Sequence, residues 1–190
     1  MRKIIAALQM SLDGFIEGPH GELDWVHGWE DVFDLLPQID TCILGRRMYP
    51  GYEQFWRSIL ADPARVSPFT GQPPSPSEVE YARFADRTPH VVVSRTLPAV
   101  DWHNTRIVRD IDEIRRLKQQ PGKDLHAVGG ATLVSSLLNA GLIDELRIVV
   151  LPIVLGGGTP LFKDVQQRHA LTFVDAAPLS SGLVRLTYRT

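Results

Sequence analysis

The stretch LHAVGGATLVSSLL, residues 125–138, decides the fold. Leu125, Ala127 and Val128 make a short apolar run of strand character, and Leu133, Val134, Leu137 and Leu138 recur at helical spacing. Gly129-Gly130 separates the two periods. Neither residue carries a Cβ, so the backbone can turn sharply and be approached closely there, and the first N–H groups of the helix have no intrahelical acceptor. A strand running through two glycines into a helix is a unit of an α/β sheet, and its bared helix terminus suits a phosphate. The same dipeptide also serves as a tight connection with no ligand, so the other strand ends must decide between the two.

On the N-terminal side, residues 3–10 are apolar on both parities apart from Gln9, as expected of a central strand covered on both faces. Ser11-Leu12-Asp13-Gly14 then reads as a turn, where Asp13 either orients a substrate or caps its own turn. Trp25 and Trp29 stand one helical turn apart, and Val32, Phe33, Leu35 and Leu36 continue the face to Pro37, which predicts a short helix over residues 30–36 carrying Asp31 and Asp34. Residues 41–44 are a second buried strand running into Gly45-Arg46-Arg47, where two arginines flank a glycine at an apparent helix start. Residues 62–86 form a proline-rich excursion within the domain, a candidate lid, with a helical return over residues 78–85. Residues 90–93 are a third strand ending in Ser94-Arg95-Thr96. Residues 105–108 are a fourth, followed by a helix that Asp110 caps.

After the organising stretch come a long strand over residues 147–155 and Gly156-Gly157-Gly158, read as a substrate-side or packing turn. Residues 171–174 and 183–188 have no helix between them and predict an antiparallel hairpin closing one edge of an otherwise mostly parallel sheet.

The totals narrow the function. A chain of 190 residues, 44% hydrophobic and 22% charged, supports one buried core, so a single domain over residues 1–190 is expected. Its formal net charge of −2 argues against nucleic acid as a partner. The single cysteine, Cys42, excludes a disulfide framework and fits a cytoplasmic setting. The apolar run near the N-terminus is broken by Gln9 and Asp13, too short for a signal peptide or membrane span. Six histidines without paired spacing give no metal site.

Three strand ends thus carry ligand chemistry: Gly45-Arg46-Arg47, Ser94-Arg95-Thr96 and Gly129-Gly130. In an open α/β sheet, ligands bind beyond the carboxyl ends of the strands, and glycines with clustered arginines suit a phosphorylated dinucleotide. With SLDGFIEG, ILGRRMY, VVVSRTL, AVGGATLVSSLL and GLIDELRIVVLPIVLGGGTPLF in order over nearly the whole chain, the sequence resembles the dihydrofolate-reductase-like superfamily. Within it, the closer resemblance is to the reductase domain of bacterial riboflavin-biosynthesis deaminase-reductases.

The resemblance implies a three-layer α/β/α fold and NADPH as hydride donor. It assigns Gly45, Arg46, Arg47, Ser94, Arg95, Gly129, Gly130, Ala131 and Thr132 to the cofactor, and it implies a cis Gly129-Gly130 peptide. It places a small pyrimidine, ribosylamine or pterin-like substrate near Ser11, Gly14 and Phe33, with Asp13 or Asp34 as proton donor. It further implies a homodimer to which residues 148–155 contribute. The zinc signature of a nucleotide deaminase needs several cysteines, so the chain is expected to act as a separate reductase. Dihydrofolate reduction and a non-catalytic NADPH-binding module are the alternatives.

Overall fold

The computed structural model describes residues 1–26, 32–66 and 71–190. β1 (Ile4–Ser11) is buried along almost its whole length, as its two apolar faces require. It pairs in parallel with β6 (Asp124–Gly129) on one side and β7 (Glu145–Leu151) on the other. Beyond β6 follow β3 (Ile39–Gly45), β4 (His90–Val93) and β5 (Thr105–Val108), all parallel. Beyond β7 the hairpin of β10 (Val184–Arg189) and β9 (Thr172–Pro178) runs antiparallel and closes the edge. The eight strands therefore stand in the order β5-β4-β3-β6-β1-β7-β10-β9. A separate two-stranded sheet joins β2 (Phe15–Glu17) to β8 (Thr159–Pro160).

Helices cover both faces. α1 (Tyr49–Ala61) and α2 (Pro76–Arg87) bury Tyr52, Trp56, Tyr81 and Phe84 against Cys42, Leu44, Val92 and Val128 on one face. α3 (Ile111–Gln119) and α4 (Ala131–Asn139) bury Ile114, Leu117, Val134 and Leu137 against Ile4, Ala6, Ile43 and Ala127 on the other. This is the expected three-layer, dihydrofolate-reductase-like α/β/α arrangement.

Four expectations change. Where described, the predicted helix over residues 30–36 is turn: Asp34 has φ 54°, a left-handed conformation that a helix cannot contain. Asp31, the other acid read onto it, lies outside the described residues. The helical return is longer than residues 78–85, because Ser75 and Glu78 form a reciprocal capping box that starts it at Pro76. Since α2 packs into the core through Tyr81, Ala82, Phe84 and Ala85, that half of the excursion is a structural layer, not a lid. The long strand ends at Leu151, and Ile148, Val149 and Leu151 are buried between β1, β10 and the helices. The sheet edge on that side is β9, whose Phe173 is 60% exposed.

Candidate functional site

β4, β3, β6 and β1 are four adjacent parallel strands, so the Ser94, Gly45, Gly129-Gly130 and Ser11 corners all emerge at one end of the sheet. Their centre is a contact between two glycines. A Cβ on Gly45 would lie 3.4 Å from the Gly129 carbonyl oxygen and 3.6 Å from the Gly130 nitrogen, so the backbones of β3 and β6 meet with no side chain between them. Gly129 has φ 130°, and a Cβ there would stand 2.9 Å from Leu8 Cδ2. The Gly129-Gly130 peptide is cis. α4 begins at Ala131 with Gly130 as an N-cap that supplies no side-chain acceptor, so the first turn keeps N–H donors for a ligand. Ala131 is buried in that turn, and the exposed Thr132 turns its hydroxyl to Asp164 at 3.4 Å.

Cations flank the glycines. α1 starts only at Tyr49, after a turn closed by Met48 N–H on the Gly45 carbonyl at 3.1 Å, so Arg46 and Arg47 project from that turn and not from a helix terminus. Ser94 is buried and its hydroxyl accepts the N–H groups of Thr96 at 3.2 Å and Leu97 at 2.9 Å, which leaves Arg95 exposed on a closed turn. Arg2, Arg57, Arg115 and Arg147 each have a carboxylate partner; among the described residues Arg46, Arg47 and Arg95 have none.

A flap stands across from the glycine corner. Ser11 is fully buried, its hydroxyl donating to Asp13 at 2.6 Å and accepting Phe15 N–H at 3.0 Å. The Asp13 carboxylate also accepts the N–H groups of Leu155 at 3.2 Å and Gly156 at 2.8 Å. The Ser11 hydroxyl, with these N–H groups, holds the Asp13 carboxyl below its ordinary range against an opposing desolvation. Asp13 is therefore an ionised acceptor at neutral pH and joins the early loop to the triple-glycine loop. Gly14, with φ 90°, accepts Leu161 N–H at 3.0 Å and extends the same join. Ile16 of this flap would stand 3.8 Å from a Cβ on Gly130, directly over the turn.

The remaining candidates lie on the helix α1 side of the sheet. Phe33 is buried, its ring centroid 6.3 Å from that of His126, while Asp34 is exposed. The Phe33 and Asp34 carbonyls each accept from Arg147 Nη1 at 2.8 Å, and Arg147 Nε is paired with Glu145 at 2.6 Å. Arg147 is a residue the sequence reading missed. The alternation of Glu145 and Arg147 with Leu146 and Ile148 was its signal, obscured by the apolar run that follows.

Comparison with known proteins agrees with this architecture. The RibD C-terminal domain family matches residues 2–185. YyaP, an uncharacterized protein of Bacillus subtilis, is 38% identical over 98% of this chain and 94% of its own length. Among solved structures, a Shewanella protein described as a riboflavin biosynthesis protein superposes with a TM-score of 0.71 at 23% identity, over 98% of each chain. Dihydrofolate reductase from Enterococcus faecalis, complexed with NADP(H), superposes with a TM-score of 0.65 at 18% identity, over 98% of this chain and 95% of its own. With its strand ends, glycine corner and full-length match, this chain belongs to the RibD C-terminal domain family.

Proposed function

We propose that the chain is an NADPH-dependent reductase of the riboflavin-biosynthesis type, acting on a pyrimidine ribosylamine or pterin-like substrate. The observation that carries this reading is the Gly45–Gly129 contact, bare backbone at adjacent strand ends flanked by Arg46, Arg47 and Arg95, which have no carboxylate partner among the described residues. A pyrophosphate needs backbone donors with no Cβ in the way, and a 2′-phosphate needs fixed cations. The residues present fit both: Gly45, Gly129, Gly130, Ala131 and Thr132 for the pyrophosphate side, and Arg46, Arg47, Ser94 and Arg95 for the 2′-phosphate. Bound there, NADPH would supply the hydride. The NADP(H) complex of the Enterococcus enzyme, which shares the fold, supports a nicotinamide cofactor.

The chain's own contribution is alignment and exclusion of water, and positioning alone can lower a barrier by about 7–11 kcal/mol at best. Asp13, held ionised by its three partners, acts by fixing the flap. That leaves Asp34, exposed on the loop above Arg147, to pass the proton through water. The proposal extends to a cytoplasmic homodimer joined along the outer edge of β9, where Phe173 and Val174, with Leu171 just before the strand, are exposed.

The test is titration with NADPH and with NADH, read by energy transfer from the tryptophans, followed by turnover of ribosylaminopyrimidine and dihydrofolate. NADPH preference with pyrimidine turnover is expected. Dihydrofolate turnover would reassign the substrate, tight NADPH binding without turnover would make the chain a binding module, and no binding of either cofactor would refute the reading.

A further inference from the structure

We propose that Arg109 is a positioning residue for the dinucleotide-phosphate corner: it locks the 94–97 turn that carries Arg95 and presents its own guanidinium edge beside it. This rests on the reading of that corner as a 2′-phosphate site.

Arg109 is the first residue after β5, and β5 pairs with β4 in parallel with Val93 opposite Val108, so Arg109 and Ser94 leave the sheet side by side. Arg109 Nη1 donates to the Ser94 carbonyl at 3.0 Å and to the Leu97 carbonyl at 2.6 Å, the first and last residues of the turn. From within, the Ser94 hydroxyl takes the Thr96 and Leu97 N–H groups, and Ser94 N–H donates to the Val108 carbonyl at 3.0 Å. The turn is thereby closed from both sides, with only the Arg95 and Thr96 side chains left exposed.

The backbone beneath Arg109 is fixed as well. Its N–H donates to Glu113 Oε1 at 2.8 Å, and Asp110 caps α3 through the Asp112 N–H at 2.7 Å. A guanidinium is planar and rigid, so anchoring Nη1 fixes the direction of Nε and Nη2. Among the described residues neither of those nitrogens meets an acceptor, and no carboxylate forms an ion pair with Arg109. The result is an ordered cation whose free donors border the Arg95 turn. Its side-chain entropy is already reduced before any ligand arrives, which favours the ligand that uses it. NADPH has a phosphate for such a group and NADH has none, so Arg109 should act on the discrimination between them. Lysine cannot replace it, since one ammonium lacks the planar fork that clamps two carbonyls while directing further donors outward.

The experiment titrates the full chain with NADPH and with NADH in the wild type, R109Q, R109K and E113Q. R109Q is expected to weaken NADPH about tenfold, the loss of one charge-assisted contact, and to leave NADH nearly unchanged. R109K is expected to recover only part of that loss, because it restores charge without the clamp. E113Q keeps both the guanidinium and a side-chain oxygen that can accept the Arg109 N–H, so it should hold the wild-type NADPH-to-NADH ratio. Equal loss of both cofactors in R109Q, a wild-type ratio in R109Q, full recovery in R109K, or a ratio shift in E113Q would each overturn the role of Arg109. A wild type with no preference for NADPH would instead refute the corner itself.

Discussion

Substituting Gly129 and Gly130 one at a time separates fold from site. In Gly129→Ala the new residue must hold φ 130°, a region essentially reserved for glycine, at about 1–3 kcal/mol. Its Cβ would also lie 2.9 Å from Leu8 Cδ2, and Leu8 is only 7% exposed, packed in the core cluster that contains Leu133 and Val134 of α4. Shifting a core side chain by such overpacking costs about 1–3 kcal/mol more. The two effects sum to about 2–6 kcal/mol, a large share of the 5–15 kcal/mol by which a domain is ordinarily stable. At the middle of that range the melting temperature falls by roughly 8–16 °C for a chain of this size. Gly130→Ala meets neither obstacle, since its φ is −84° and its Cβ would stand 3.8 Å from Ile16 Cδ1, an ordinary contact. That variant should lose about 1 kcal/mol at most as a helix cap, yet lose NADPH because its methyl occupies the space between turn and flap. Thermal melts and cofactor titrations on both variants measure the contrast. If Gly129→Ala melts with the wild type, or if Gly130→Ala is equally destabilised and still binds NADPH, the geometric reasoning about this corner is wrong.

Burial of His90 pushes its imidazole down to about 4, against a smaller opposing effect of the neighbouring Asn104 side chain. The neutral ring is the one the fold prefers, so its contribution is complete above pH 6.5 and is lost as pH falls from 6.5 towards 4; the unfolding free energy from denaturant titrations should drop across that window by up to about 3 kcal/mol. A flat stability profile between pH 7 and pH 4 would contradict the burial argument. A Cβ on Gly158 would overlap the Glu17 carbonyl oxygen, a backbone atom that cannot yield, so Gly158→Ala should open the β2–β8 pairing. Amide exchange at residues 15–17 should then speed up while the melting temperature hardly moves, and unchanged protection would count against it. Asp13→Asn gives the flap one acceptor oxygen in place of two, so turnover should fall with NADPH affinity kept; undiminished turnover would deny the flap a part in the reaction. Replacing Arg46, Arg47 and Arg95 together should weaken NADPH far more than NADH, and equal losses would remove the case for 2′-phosphate recognition.

What could be read in advance divides along the kind of chemistry a residue carries. The glycines of β3 and β6 matter because they lack a Cβ, and the arginines because they are cations at strand ends. Those are properties of the residue and its near neighbours, so the order of motifs was enough to bring Gly45, Arg46, Ser94 and Gly129 to one end of the sheet. The region 30–36 failed for the opposite reason. Val32, Phe33, Leu35 and Leu36 do have helical spacing, but a turn with Asp34 at φ 54° also points Phe33 and Leu35 inward. The carbonyls that such a turn leaves without helical partners are taken by Arg147, more than a hundred residues away.

Asp13 presents the same difficulty at the site itself. Asp-Gly reads as a local turn, and the Ser11 bond is local, but the Leu155 and Gly156 N–H groups that make Asp13 a join between two loops come from the loop that follows β7. Arg109, a single basic residue before a helix cap, gains its role only because β4 and β5 bring the 94–97 turn beside it. Residues whose function is their own chemistry are thus legible in the sequence, and residues whose function is to hold another are not. For this chain the flap, joined through Asp13, and the 32–38 loop, held by Arg147, belong to the second group.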